Sequence, residues 1–433
     1  METKSFLPVQ QPLIGELQVP GDKSISHRAI MLGSLATGKT KITNFLDGED
    51  CLRTIEIFRH LGVEIEQDHT DVEITSKGFR HFTEPKVPLY FGNSGTTARL
   101  MLGILSGLPF YSVMYGDPYL TVRPMARVVI PLTKMGAQID GRNNGNNLPL
   151  SVRGSNLKGI RYELPVKSAQ VKSALLLAGL FADGETTVIE RAKTRDHTEN
   201  MLKAFGANVN VNGLTVSITK QTELCPVDVT VPGDISSAAF FLVAGSIVPD
   251  SRITLRNVGL NETRTGIIEV MTKMGAKLTI ENEREISGEL LGDVSVQYSD
   301  LKGIVIEGEM IPKLIDEIPI IALLATQAEG TTVIKDAEEL RVKETDRIHA
   351  VVDVLSTLGA NIEEIEDGMI IHGKSTLHEG KIKSYGDHRI AMMGVIASLI
   401  SKGTVTIDDV SSIAISYPRF FDDLNVLKVN DMV

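Results

Sequence analysis

Eight cationic side chains occur in short polar motifs, each near the start of a predicted helix or at a turn between a strand and a helix. They are Lys23, Arg28, Arg99, Arg123, Arg195, Lys343, Arg347 and Arg389. A cation at a helix N-terminus opposes the helix dipole, so its presence there needs a reason. A bound anion supplies one, because the free backbone N–H groups, the dipole and the cation then all point at it. These positions predict a site for a small, multiply anionic ligand, with phosphate favoured over a carboxylate alone.

Serine, asparagine and aspartate residues beside these cations have a second interpretation as helix N-caps. Asp22, Asp234 and Ser236 can each accept a hydrogen bond from the first turn of a helix. Capping does not account for Lys23 or Arg389, so the anion-binding hypothesis depends on the cations.

Two carboxylates, Asp316 and Glu344, are interspersed with the cations. Each is equally consistent with a structural salt bridge to a neighbouring arginine. Beside an anionic ligand they are the strongest candidates to accept or donate a proton. The sequence contains no competing Ser-His-Asp or Cys-His pattern and no spacing typical of metal ligands. We therefore predict proton transfer by carboxylates, without a metal.

The elements that carry these residues repeat six times along the chain. In each repeat an apolar run ends in a turn, a short strand follows, and an amphipathic helix comes next. The turns recur about every 73 residues, at Thr37-Gly38, Ser106-Gly107, Asp183-Gly184, Pro249-Asp250, Glu329-Gly330 and Lys402-Gly403. The apolar runs, such as 238–244, have almost no polar face, which is typical of a helix surrounded by protein. We predict an α/β fold with six buried helices and with the amphipathic helices outside.

A longer repeat groups the six units into two halves. Val19-Pro20-Gly21-Asp22 returns as Val231-Pro232-Gly233-Asp234, and each Pro-Gly pair breaks the chain just before a helix. We predict two domains of three units: residues 21–232 form the first, and residues 1–20 with 233–433 form the second. The chain would cross between them twice, near 20–22 and 231–234. Buried parallel helices would then bring their cationic ends to an interdomain cleft.

The composition excludes several classes of protein. The 433 residues carry a formal net charge of −11, which implies no basic surface for nucleic acid or an anionic membrane. No apolar run reaches the ~18 residues that span a membrane, and residues 1–7 do not resemble a signal peptide. Cys51 and Cys225 are too few for a disulfide framework. These features predict a cytoplasmic protein with reduced thiols.

Residues 33–40, Gly-Ser-Leu-Ala-Thr-Gly-Lys-Thr, match the P-loop pattern of nucleotide hydrolases. A P-loop follows a strand and opens a helix. Here Gly33 falls inside an apolar helical run and Thr40 opens a strand, so the order is reversed. We interpret the segment as an ordinary helix-to-strand turn that contains Lys39, and we predict no nucleotide binding.

Several motifs together closely resemble the 5-enolpyruvylshikimate-3-phosphate (EPSP) synthases, a branch of the enolpyruvyl transferases. They are residues 21–28, 92–99, 123–125, 341–347 and 386–389, and the similarity runs in order from about residue 12 to Pro418. The resemblance implies transfer of the enolpyruvyl group of phosphoenolpyruvate to the 5-hydroxyl of shikimate 3-phosphate, with release of phosphate, in aromatic amino-acid biosynthesis. It also implies a two-domain enolpyruvyl transferase fold of six βαβαββ units, no cofactor, small-molecule substrates as the only partners, and a monomer.

Carried over position by position, the resemblance implies roles for single residues. Residues matched to shikimate 3-phosphate binding are Ser24, Arg28, Ser168, Gln170 and Arg195. Residues matched to phosphoenolpyruvate binding are Lys23, Gly95, Arg123, Gln170, Arg347 and Arg389, and Thr96 completes the substrate-binding set. Asp316 matches the acceptor of the 5-hydroxyl proton, with Lys343 beside it, and Glu344 matches the group that protonates the methylene carbon. The implied catalytic residues are Asp316, Glu344, Lys23 and Lys343.

Three residues depart from the pattern common among EPSP synthases. Ala169 stands where a serine often occurs, Glu339 where an asparagine often occurs, and Ile415 where many members have a lysine. Ala169 and Ile415, together with Arg195, resemble a subgroup in which Arg195 takes up phosphate binding.

Two other functions stay open from the sequence. A related transferase acts on UDP-N-acetylglucosamine and uses a cysteine before the residue matched by Arg123, but residues 111–122 contain no cysteine. A non-catalytic anion-binding protein on the same scaffold would need the arginines but not Asp316 and Glu344.

Overall fold

The fold is described from a computed structural model that covers residues 2–428. Its core consists of six helices, which are Lys23–Leu35, Gly95–Gly107, Ala169–Gly179, Ile235–Ile247, Ile318–Thr326 and His388–Ser398. Every residue of the fourth and fifth of these helices is buried. Removal of so much apolar surface from water is the main driving force of folding, so these helices form the core that the sequence predicted.

A second set of helices is amphipathic. Its members are Glu49–His60, Ala126–Lys134, His197–Ala204, Gly266–Lys273, Arg347–Thr357 and Phe420–Leu427. In the first of them Cys51, Ile55 and Phe58 are buried, whereas Glu56 and Arg59 are exposed. Shorter helical turns occur at Phe79–His81, Pro118–Thr121, Arg142–Gly145, Gly308–Met310, Ile311–Leu314, Glu338–Val342 and Ser411–Ile415. None of the helices within residues 2–428 is long and apolar enough to cross a membrane.

The strands form five four-stranded sheets and one three-stranded sheet. In each four-stranded sheet the first two strands in spatial order are parallel, and the second and third are antiparallel. The sheets are Val229–Thr230, Thr37–Thr43, Asp71–Lys77 and Glu64–Asp68; Leu89–Tyr90, Tyr111–Tyr115, Asn147–Arg153 and Gln138–Gly141; Arg161–Glu163, Glu185–Ile189, Thr215–Thr219 and Val209–Asn212; Ile14–Leu17, Arg252–Gly259, Glu289–Gln297 and Lys277–Ile286; Val305–Ile306, Gly330–Ile334, Gly368–Gly373 and Asn361–Ile365; and Lys4–Phe6, Lys402–Ile407 and His378–Ile382.

Segments distant in sequence complete three of these sheets. Val229–Thr230 pairs with the first strand of the first repeat, and Ile14–Leu17 pairs with the first strand of the fourth. Lys4–Phe6 is antiparallel to the first strand after the last core helix. Each of these strands lies near a chain end or a predicted crossover. These three sheets therefore each contain a strand from outside the repeated segment of sequence.

The chain divides into two compact units. One, which we name the N-unit, contains Gly21–Val231 and Ile286–Glu289. The other, the C-unit, contains Met1–Pro20, Pro232–Glu285 and Leu290–Val433. Three core helices belong to each unit.

The units differ from the predicted domains in the assignment of Pro232 and of residues 286–289. Within the N-unit, Glu289 Oε1 lies 3.0 Å from His197 Nδ1. The Ser287 hydroxyl accepts a hydrogen bond from the Thr230 N–H at 3.3 Å. Residues 286–289 form the tip of the hairpin between two long strands, with the turn at residues 287–288. The local sequence of a hairpin tip does not indicate which distant residues it contacts.

Two core helices of the N-unit approach each other closely. A Cβ atom added at Gly103 would lie 2.1 Å from the backbone carbonyl oxygen of Ala174. Only glycine allows this approach, which fixes the relative position of the Gly95–Gly107 and Ala169–Gly179 helices. Several candidate site residues lie at the first turns of these helices.

The segment that matches the P-loop pattern has the predicted helix-to-strand order. Gly33 lies within Lys23–Leu35, and the next strand begins at Thr37. The prediction that Lys39 lies in the turn is wrong, because the strand begins three residues earlier than expected. Lys39 pairs with Thr75 in the sheet and forms an ion pair with Glu73.

Candidate active site

In the C-unit, the guanidinium group of Arg347 donates hydrogen bonds to three carboxylates. Its Nε lies 2.8 Å from Asp387 Oδ2, its Nη1 3.3 Å from Asp316 Oδ1, and its Nη2 2.6 Å from Glu344 Oε2. The Arg347 side chain is 1% exposed, so these bonds form where water is nearly excluded. Charge-assisted hydrogen bonds are about twice as strong as neutral ones. One arginine therefore holds Asp316 and Glu344, the two predicted proton-transfer residues, in defined positions.

Lys343 provides a second cation at Asp316. Its Nζ lies 3.4 Å from Oδ1, the same oxygen that accepts from Arg347. Burial alone would lower the pKa of the Arg347 guanidinium, but Asp387, Glu344 and Asp316 raise that pKa above its ordinary value. Arg347 therefore remains a cation throughout, and the group contains two cations and three carboxylates.

Asp387 connects Arg347 with Arg389. Besides its bond to Arg347, the Asp387 carboxylate accepts a hydrogen bond from the Arg389 backbone N–H at 2.8 Å and caps the His388–Ser398 helix. Aspartate is a favoured N-cap because its oxygen satisfies a free N–H of the first turn. The cap places Arg389, which is 9% exposed, one turn from the carboxylate that holds Arg347.

The loop before Arg347 is held by another arginine. Arg341 donates to the backbone carbonyls of Ile365 and Glu366, both at 2.8 Å, and to the carboxylate of Asp346 at 2.8 Å. Asp346 also caps the helix that follows. These bonds tie the loop that carries Lys343 and Glu344 to the adjacent sheet.

In the N-unit, Arg28 is almost as buried as Arg347 but donates to uncharged oxygens. Its Nε lies 2.6 Å from Thr198 Oγ1, its Nη2 2.9 Å from Ser173 Oγ, and its Nη1 2.9 Å from the Ser24 carbonyl oxygen. Thr198 and Ser173 are themselves 2.7 Å apart. These hydrogen bonds to neutral oxygens orient the guanidinium group.

A second group in the N-unit surrounds Gln170. Its Oε1 accepts a hydrogen bond from Arg99 Nη1 at 2.7 Å, and its Nε2 lies 3.1 Å from Thr96 Oγ1. A Cβ atom added at Gly95 would lie 3.0 Å from guanidinium atoms of both Arg99 and Arg123. The absence of a side chain at Gly95 therefore lets two arginines reach the same helix start.

Lys23 lies at the start of the first core helix and forms an ion pair with Asp50. His27, one turn further on, is fully buried, and its Nδ1 lies 2.8 Å from Thr54 Oγ1. Burial, together with the charges of Lys23 and Arg28, holds the pKa of the His27 imidazole well below its usual value. His27 is therefore neutral at neutral pH and adds no cation.

The remaining predicted residues lie at the starts of two helices of the N-unit. Ser168 is the N-cap residue of Ala169–Gly179 and is buried, although its side chain makes no capping hydrogen bond. Arg195 is half-buried and lies two residues before His197–Ala204. Ala169 begins its helix, while Glu339 and Ile415 are half-buried in the single-turn helices Glu338–Val342 and Ser411–Ile415.

Sequence patterns missed several residues that hold the predicted ones. Asp50 pairs with Lys23, Asp387 with Arg347, and Ser173 and Thr198 with Arg28. Asp387 had a usable signal, because it lies in the motif 386–389 directly before an arginine. The other three lie within helices or at helix starts where their types are unremarkable, and only the packing of those helices brings them to their partners.

The chain is similar to known proteins in both sequence and structure. A sequence profile of the EPSP synthase (3-phosphoshikimate 1-carboxyvinyltransferase) family matches residues 8–424. A 3-phosphoshikimate 1-carboxyvinyltransferase of Oceanobacillus iheyensis is 58% identical over 429 residues, which cover 99% of this chain and 100% of that protein. One of Geobacillus kaustophilus is 59% identical over 417 residues, 96% of this chain and 98% of that protein. The solved structure of an EPSP synthase from Acinetobacter baumannii is similar with a TM-score of 0.89 at 45% identity, and the match covers 99% of both chains.

Proposed function

The chain belongs to the EPSP synthase family, and we propose that it transfers the enolpyruvyl group of phosphoenolpyruvate to the 5-hydroxyl of shikimate 3-phosphate with release of phosphate. The observation that carries the proposal is the contact of Arg347 with both Asp316 and Glu344, beside Lys343. A non-catalytic anion-binding protein has no need for two carboxylates on one buried arginine. The cytoplasmic location and the monomeric state remain predictions from the sequence.

The reaction requires three proton transfers. The 5-hydroxyl oxygen forms a bond to C2 of phosphoenolpyruvate and loses its proton, while the methylene carbon gains one. The methyl group so formed then loses a proton as the C2–O bond to phosphate breaks, which restores the double bond. We assign the hydroxyl proton to Asp316 and the carbon-bound proton to Glu344. Lys343 and Arg347 counter the negative charge of the carboxylates and of the leaving phosphate.

Most of the residues that bind substrate in this proposal belong to the N-unit. Ser24, Arg28, Ser168, Gln170 and Arg195 bind shikimate 3-phosphate. Residues assigned to phosphoenolpyruvate are Lys23, Gly95, Arg123, Gln170, Arg347 and Arg389, and Thr96 completes the substrate-binding set. Hydroxyl and amide partners orient Arg28 and Arg99 before substrate arrives, so less conformational entropy is lost on binding.

The test is release of phosphate by the purified chain from shikimate 3-phosphate and phosphoenolpyruvate, with the enolpyruvyl ether identified by NMR. Phosphate and ether should form in equal amounts, without added metal or ATP. UDP-N-acetylglucosamine in place of shikimate 3-phosphate should give no product. Turnover with the nucleotide sugar alone, or tight binding of both substrates without turnover, would contradict the proposal.

A further inference from the structure

A buried ionic triad lies behind the predicted phosphate-binding residues of the N-unit. The Lys172 side chain is 0% exposed, and its Nζ lies 3.0 Å from Glu190 Oε2 and 2.6 Å from Glu199 Oε1. Burial raises the pKa of Glu199, and Lys172 opposes this rise only in part. Transfer of three charges out of water is unfavourable, and buried ion pairs are often no more stable than apolar residues of the same volume. The triad is therefore better explained by the groups that it positions than by added stability.

The first arm of the triad ends at Arg195. Glu190 Oε1 accepts a hydrogen bond from the Thr194 N–H at 3.2 Å and a second one from the Thr194 hydroxyl. Thr194 directly precedes Arg195. Lys172 and Glu190 therefore fix the backbone at Thr194 and with it the position from which the Arg195 side chain extends. Thr194 is 4% exposed, and the two bonds hold it where water competes little.

The second arm ends at Arg28. Lys172 and Ser173 are consecutive in the Ala169–Gly179 helix, and they bind Glu199 and Thr198, which are consecutive in the next helix. Thr198 is also the acceptor for Arg28 Nε. The contact of Lys172 with Glu199 therefore sets the position of the oxygen that orients Arg28.

We propose that the Lys172–Glu190–Glu199 triad is a positioning device that aligns Arg195 and Arg28 with the phosphate group of the substrate. The proposal rests on the proposed function, in which Arg28 and Arg195 bind shikimate 3-phosphate, and it further assigns both arginines to the phosphate group of that substrate. The triad residues are too buried to touch the substrate, so they act through Thr194 and Thr198. Binding of shikimate, which lacks the phosphate, should be insensitive to the triad.

Two variants test the triad, and they differ in how strongly they are expected to disturb folding. Thr194→Val keeps the side-chain volume and removes one hydrogen bond to Glu190. Lys172→Met removes the central cation and leaves Glu190 facing Glu199. We expect KM for shikimate 3-phosphate to rise about 5-fold in the first variant and about 10–100-fold in the second, comparable to the loss of an outer-shell partner of a metal ligand. KM for phosphoenolpyruvate and kcat at saturation should stay within about threefold, the range of a surface substitution.

The decisive readout is the coupling with Arg195. In an Arg195→Ala background, Thr194→Val should raise KM for shikimate 3-phosphate far less than it does in the wild type, because residues that act as one unit are not additive. Lys172→Met should raise this KM less than it does in the wild type, and the effect that remains acts through Arg28. Val152→Ala, in a buried strand of another sheet of the same unit, is the control for general loss of stability. It should lower the Tm without changing the ratio of the two KM values.

Several outcomes separate this proposal from the proposed function. Wild-type chain that releases no phosphate from the two substrates contradicts the function. If Arg195→Ala raises KM while Thr194→Val and Lys172→Met do not, or if their effects add fully to that of Arg195→Ala, only the positioning role is wrong. If Lys172→Met does not fold, Thr194→Val alone decides the outcome.

Discussion

Arg28 and Arg347 are both buried arginines, but they differ in the groups that accept their hydrogen bonds. Arg28 in the N-unit donates to two hydroxyls and a backbone carbonyl, whereas Arg347 in the C-unit donates to three carboxylates. Both side chains are at least nine-tenths buried. Hydroxyl and carbonyl partners orient a guanidinium group through hydrogen bonds to neutral oxygens. Carboxylate partners use that charge to hold acids and bases in place.

The two regions also differ in their balance of charge. Around Arg347, three carboxylates accompany Arg347 and Lys343, so most of the positive charge of these two cations is already balanced. Around Gln170, Arg99 and Arg123 lie near one helix start, where Arg99 donates a hydrogen bond to the neutral amide of Gln170. We therefore expect substrate binding to depend mainly on residues of the N-unit and proton transfer to depend on residues of the C-unit.

The strongest test of this division is removal of the carboxylates. Asp316→Ala and Glu344→Gln should each lower kcat by ~10²–10⁴, the usual contribution of a positioned acid or base. Equilibrium binding of both substrates should change much less. Single-turnover kinetics with parallel calorimetry would measure the two quantities separately.

Glu338→Gln provides the matched control, because this glutamate is exposed and lies in the same segment as Glu344. It should leave kcat unchanged. If Asp316→Ala and Glu344→Gln turn over normally but bind substrate weakly, both carboxylates are structural partners of Arg347. The assignment of proton transfer to these residues would then be wrong.

Arg123 and Arg389 test the assignment of arginines to phosphoenolpyruvate binding. Replacement of either by alanine should cost on the order of 2–4 kcal/mol of affinity for phosphoenolpyruvate, comparable to truncating one partner of a buried charge pair. The loss should be found in KM, with a smaller change in kcat. Arg80→Ala, at an exposed arginine, is the control.

The split between KM and kcat would sharpen the comparison. If Arg389→Ala lowers kcat and leaves binding intact, the C-unit cations act in chemistry alone. If both variants bind phosphoenolpyruvate normally, the binding role assigned to the arginines is wrong.

His27 predicts a smaller effect, on stability. Its pKa is depressed in the folded state, so below pH ~6.5 the unfolded chain takes up a proton that the folded chain does not. The free energy of unfolding should therefore fall as the pH drops below that value, by up to about 1.4 kcal/mol per pH unit for this group. Its contribution is fully present at higher pH.

Urea unfolding of wild type and His27→Gln between pH 8 and pH 5.5 measures this contribution. The difference in stability between the two proteins should shift in favour of the variant as the pH falls. Parallel curves over the whole range would contradict a neutral, buried His27.

Lys39 predicts the smallest effect. Because it lies in a strand with an ion pair to Glu73, Lys39→Ala should leave kcat within about threefold, as expected of a surface substitution. The chain should not hydrolyse ATP. ATP turnover that is lost in Lys39→Ala would restore the P-loop interpretation of residues 33–40.

The repeat, the core helices and the cationic motifs could all be predicted from the sequence, because each depends on residues close together in the chain. The six buried helices follow from apolar runs such as 235–247, and the helix starts from residues such as Asp22 and Asp387, whose side chains cap the following turn. The resemblance to EPSP synthases implied substrates for these motifs only where whole motifs matched.

The pairing of those motifs was decided by tertiary structure alone. Arg28 meets Thr198 across 170 residues of sequence and Ser173 across 145, and Lys172 meets Glu190 across an intervening turn and strand. Glu289 reaches His197 from a hairpin turn assigned by sequence to the other domain. Local patterns record which face of an element is buried, but not which element lies against it. That choice depends on the close packing of helices, as at Gly103 and Ala174, and it determines which side chains accept hydrogen bonds from each buried arginine.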